Sequence, residues 1–169
     1  MSAVILLAVA ASVFDCSNLP GVWHNSTCVG SGYSEIYALC PDSSFRWRES
    51  QMDGMSRVRE VRGTWSLAGD TLVLEADSVL VWEGGEVVPA ECSIGTDSML
   101  VGFIEAMHHP VPPDTLRVRI SNLRLDTMDE NSDLPDNLWG MDFEGSRFWR
   151  IGSPGPDMDW VFEDWISES

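Results

Sequence analysis

Lysine is missing from all 169 residues of this chain, so its basic charge rests on ten arginines, set against twenty-seven aspartates and glutamates. The formal net charge is −17. A field of that sign repels phosphate backbones and anionic lipid, which argues against nucleic acid or a membrane surface as a partner. The plain reading of so acidic a chain is a well-solvated surface; the sharper one is adaptation to salt, which expects the melting temperature to change between low and molar salt.

Long apolar runs are absent as well. The longest, residues 2 to 14 (SAVILLAVAASVF), falls short of the roughly 20 residues needed to cross a bilayer, so no transmembrane segment is expected in the mature chain. It has the character of a signal peptide's apolar core, with Ala8-Val9-Ala10 or Ala10-Ala11-Ser12 as small-residue cleavage sites, although no basic residue precedes it. The division expected is an export segment at 1–15 and one β domain at 16–169, secreted or periplasmic. Lipid attachment at Cys16 is a minor alternative, because Val13-Phe14-Asp15 lacks the small residues that lipoprotein processing uses. A buried N-terminal strand of a cytosolic protein is another.

Catalytic and metal signatures are missing too. There is no G-x-S-x-G elbow, no H-E-x-x-H and no phosphate loop, and no enzyme is expected. The four cysteines, Cys16, Cys28, Cys40 and Cys92, stand too far apart for a zinc site. An even number in an exported chain predicts two disulfides with three possible connectivities. Cys28 with Cys40 and Cys16 with Cys92 is the arrangement expected here. His108-His109 beside Met107 brings no third ligand at a fixed offset, and the acidic stretch 129–133 lacks the glycine and the distal glutamate of a calcium loop. No metal and no cofactor is expected.

What is present is punctuation and alternation. Fourteen glycines and nine prolines are spread along the chain, which suits short strands joined by turns. Residues 62 to 74 write out a hairpin: Val61, Gly63, Trp65 and Leu67 share one face, Arg62, Thr64 and Ser66 the other, and Ala68-Gly69-Asp70 turns into an apolar strand. Phe45 and Trp47 alternate with Arg46 and Arg48 in the same way. Further strands are expected at 33–39, 78–82 and 86–90 about a Gly84-Gly85 turn, at 99–105, 115–120 and 123–127, and in a last hairpin, 138–143 with 147–151. Residues 107 to 113 hold three prolines, so they form a loop or an edge. Trp160 and Trp165 lie near helical spacing, which allows a short C-terminal helix. The fold class is all-β, an antiparallel meander.

Gly21-Val22-Trp23, Tyr37, the run from Pro41 through Trp47, Gly63-Thr64-Trp65 and Gly69-Asp70-Thr71-Leu72-Val73-Leu74 together resemble the bacterial lipocalin-like domains over residues 19 to 76. The resemblance implies a small barrel, or a strongly curved sheet, whose interior takes an apolar ligand. It also implies that Trp23 closes one end of the barrel beneath an arginine from a late strand, Arg150 or Arg147. The Pro-rich middle and the acidic segment have no counterpart in that pattern.

Eight tryptophans invite a ligand-stacking reading. Most sit where inward-facing aromatics fill a core, Trp65 among them. Trp47, Trp82 and Phe103 are the candidate ligand contacts. The expected function is binding of a small apolar ligand or service as an envelope accessory; the alternative is a cavity-less module that binds a protein or glycan through its acidic face.

Overall fold

The structure, a computed structural model, describes residues 16–26, 35–48, 57–89, 98–128 and 137–156. Eight strands follow one another: β1 (Gly21–His24), β2 (Ile36–Leu39), β3 (Ser44–Arg48), β4 (Val58–Ala68), β5 (Thr71–Pro89), β6 (Ser98–Thr127), β7 (Asn137–Phe143) and β8 (Ser146–Gly152). Each pairs antiparallel with the next, and β8 returns to pair with β1, so the sheet closes into a barrel. Closure removes the open edges that a flat meander would expose. The export segment, the acidic stretch 129–133 and the expected C-terminal helix lie outside the described residues.

Alternation places the core as the sequence pattern requires. Phe45 on β3, Leu72 and Leu74 on β5, and Val118 and Ile120 on β6 point inward with Trp23, Tyr37, Leu39, Met141, Phe143 and Phe148. β1 and β2 depart from alternation, because every residue in them is buried. Val22, Ile36 and Ala38 form a second buried cluster with Ile151 packed on it, on the face opposite Trp23 and Tyr37.

The hairpin at 62 to 74 is β4 and β5, joined through Gly69-Asp70 and paired from Ala68↔Thr71 outward. The last hairpin turns at Glu144 (φ 49°) and Gly145 (φ 84°), the two left-handed residues a type I′ turn needs.

Two expectations are corrected. Gly84-Gly85 is not a turn: β5 runs straight through it, and the left-handed φ values (80° and 67°) serve a bulge where the pairing with β6 shifts register. Glycine is needed in either case; whether a long strand lies alongside decides between bulge and turn. The three strands expected between 99 and 127 are one, β6. Pro110 sits in it opposite Ser78, and β6 takes its second neighbour, β7, only from Ile120 onward. From Ser98 to Arg119 it is an edge strand, where a missing amide donor breaks no ladder bond on the outer side. β5 outruns β4, whose pairing with it stops at Val81, so Trp82–Pro89 and their partners form a two-stranded arm beyond the barrel.

Candidate functional site

The two ends of the barrel differ. At one end Trp23 lies fully buried and its indole Nε1 donates to the carbonyl of Leu19, 2.8 Å away, so the chain entering β1 folds back as a plug. Arg150 stands opposite Trp23 in the β1–β8 pairing and donates from Nη1 to the carbonyls of Asn18 (3.2 Å) and Pro20 (3.5 Å). Arg147, the other expected partner, is elsewhere. It joins Asp126 and Asp142 across β6, β7 and β8, with Nη2 2.6 Å from Asp126 and Nη1 2.9 Å from Asp142.

The opposite end holds a cavity of about 330 Å³. Phe45, Trp47, Val61, Leu74 and Leu116 line it, with Tyr37 among them. Tyr37 stacks edgewise or tilted on Trp47, Phe143 and Phe148, at ring separations of 6.4, 4.9 and 5.7 Å. That aromatic cluster separates the cavity from the filled half of the barrel. Three carboxylates complete the lining: Glu35 just before β2, Asp114 on β6 and Glu144 in the β7–β8 turn. Burial raises the Tyr37 pKa, and the charges of Glu35 and Glu144 push it further in the same direction. Its hydroxyl therefore stays protonated at any physiological pH.

A second hollow, about 390 Å³, lies over β3 and β4 beside Arg46 and Arg62. Both guanidiniums are committed to Glu60, whose side chain is 2% exposed; Arg46 binds it through Nε (3.0 Å) and Nη2 (2.7 Å), and Arg62 through Nε. Those contacts hold the Glu60 carboxyl below the usual range against the opposing effect of its burial.

Of the expected ligand contacts, Trp47 lines the cavity and the other two do not. Trp82 is buried at the base of the arm with the Arg59 guanidinium 4.1 Å from its ring centroid, a cation–π pair. Phe103 is 82% exposed on the arm. Trp65 packs against the core and donates from Nε1 to the carbonyl of Cys40 at 2.9 Å. Cys40 carries a free thiol. Both Cys28 and Cys92 lie outside the described residues. The neighbouring Cys40-Pro41-Asp42-Ser43 turn is held by Ser43 N–H on the Cys40 carbonyl, 3.0 Å, and by Asp42 accepting from Ser44. His109 bonds Glu83 across the arm at 2.7 Å, and no group of three metal-ligating side chains occurs among the described residues.

Sequence reasoning missed the carboxylate rim. Glu35, Asp114 and Glu144 lie on three different elements with no common spacing, and twenty-seven acids hide any such trio. The one available signal was Glu144-Gly145, which marks a turn and so a barrel end.

A closed antiparallel barrel, plugged at one end and hollow at the other, is the class of protein that the fold and site define. No protein-family model, no curated protein and no solved structure matches the chain.

Proposed function

We propose that this protein is an exported, lipocalin-like carrier that holds a small, largely apolar ligand in the open end of its barrel. The cavity carries the reading: about 330 Å³ bounded by Tyr37, Phe45, Trp47, Val61, Leu74 and Leu116 is in the range of small-molecule sites. The plug supports it, since Trp23, Leu19 and Arg150 close the far end. Dispersed acids without a base or nucleophile beside them give no support to catalysis.

Calorimetric titration with a panel of aromatic and medium-chain aliphatic compounds tests the reading. Saturable binding is expected in the wild type and is abolished in Ala76→Phe, whose new ring fills the cavity that Ala76 lines. Heatless titrations across the whole panel, with nothing retained in native mass spectrometry of the protein from its own host, would sink it.

The arm favours a second reading, a module that contacts a protein. Phe103 and Val87, 82% and 53% exposed, are apolar groups that folding leaves in water.

A further inference from the structure

All ten arginines of the chain lie within the described residues, as do all three histidines, and the chain has no lysine. None of these thirteen side chains lines the barrel cavity. Elsewhere some acids are matched to bases: Glu60 takes Arg46 and Arg62, Asp70 takes Arg119, Asp126 takes Arg124 and Arg147, and Glu83 takes His109. Asp114 and Glu144 have no such partner, although they stand with Glu35 around one hollow. Three carboxylates in the lining of one hollow, with no base beside them, give its mouth a negative potential.

The walls add a second attraction. Trp47 and Tyr37 offer aromatic faces, which draw organic cations as well as apolar groups. Burial raises the Tyr37 pKa, and the charges of Glu35 and Glu144, which line the same cavity, add to it.

We infer that the ligand of this cavity is a small organic cation: an apolar or aromatic body seated on Phe45, Trp47 and Leu74, with an ammonium group held between Asp114, Glu144 and Glu35. This rests on the carrier reading and adds the charge of what is carried. An anionic ligand, such as a fatty acid, meets three like charges at the entrance.

Three probes of one shape separate the two ideas: phenethyltrimethylammonium, neutral 3-phenylpropanol and anionic 3-phenylpropanoate, each titrated calorimetrically at low and at physiological salt. The cation is expected to bind at least tenfold more tightly than the alcohol, and the carboxylate most weakly. In the double variant Asp114→Asn, Glu144→Gln, the cation-to-alcohol ratio is expected to fall below about threefold, with circular dichroism and melting confirming that the variant is folded. An alcohol that binds as well as the cation overturns the inference while leaving the carrier reading intact. A preference for the cation that survives in the double variant and again when Glu35→Gln is added also overturns it, because the charge then acts elsewhere. Failure of all three probes to bind wild type counts against the cavity as a ligand site altogether.

Discussion

Arg150 on β8 lays the stem of its side chain across Gly21 on β1, where a Cβ on the glycine would overlap its Cγ and Cδ. From there the guanidinium reaches the carbonyls of Asn18 and Pro20, tying the last strand of the barrel to the segment that enters the first. The closing seam of the barrel thus depends on one residue without a side chain and one with a long one.

Two glycine substitutions rank this seam against the β4–β5 pairing. Gly21→Ala meets a flexible side chain that moves aside at the expense of its hydrogen bonds, about 1 kcal/mol. Gly63→Ala meets the backbone carbonyl of Glu75 and the Phe45 ring, neither free to move, and is expected to lose about 3 kcal/mol. Urea denaturation midpoints check the order; an equal loss at both sites would show that β5 yields more readily than its pairing implies.

The buried carboxylate of Glu60 is the next test. Glu60→Gln removes the charge that two arginines face, and about 2 kcal/mol of stability is expected to go with it. The loss stays below that of a fully buried pair because Arg62 is 43% exposed and water replaces part of the contact. Arg119→Gln, which breaks the exposed pair with Asp70, is expected to leave the melting temperature unchanged.

Acid unfolding follows from groups whose pKa values are lowered in the fold. Burial holds His24 below its ordinary value of 6.5, arginine contacts hold the carboxyls of Glu60 and Asp126 below theirs, and the Asn122 hydrogen bond, with Arg147 behind it, does the same for Asp142. In each case the unfolded chain binds the proton first on acidification. Stability is therefore complete above about pH 7, starts to fall as His24 of the unfolded state titrates, and falls again below about pH 4.5. Chemical denaturation from pH 8 to pH 3 measures it, and His24→Gln is expected to remove the upper step.

At the alkaline end the sign reverses. Tyr37 is raised in the fold, so above about pH 10 the unfolded chain gives up a proton that the folded chain keeps, and stability declines as pH rises through the folded value. With no lysine to titrate nearby in pH, Tyr37→Phe is expected to flatten the decline between pH 10 and 12. A decline of unchanged slope in that variant would assign it to another group.

The arm predicts a change in solubility without a change in stability. Phe103→Ser is expected to alter unfolding free energy by no more than about 0.5 kcal/mol, since an 82% exposed ring contributes little packing, while delaying aggregation on heating. Light scattering beside calorimetry separates the two effects.

Local chemistry was enough to foresee the strand at Phe45 and Trp47, the hairpin through Gly69-Asp70 and the one through Glu144-Gly145. In each, the period of two and the turn residues act over a few positions, and nothing distant overrules them. The same rules failed at Gly84-Gly85 and at Pro110, where a bulge and a turn, or an edge and a loop, ask for identical residues. There the pairing of β5 with β6 over a long ribbon settled the outcome, and pairing depends on residues far apart in the chain. The cavity belongs to that second kind of fact. Alternation shows that Tyr37, Trp47, Leu74 and Leu116 face inward, but it does not show that one end of the barrel is filled and the other hollow. That difference arises from Leu19 and Trp23 packing into one end while, among the described residues, no large side chain does so at the other. It also brings three scattered carboxylates to one opening with no arginine among them, which is where the chain's missing lysine comes to bear on what it binds.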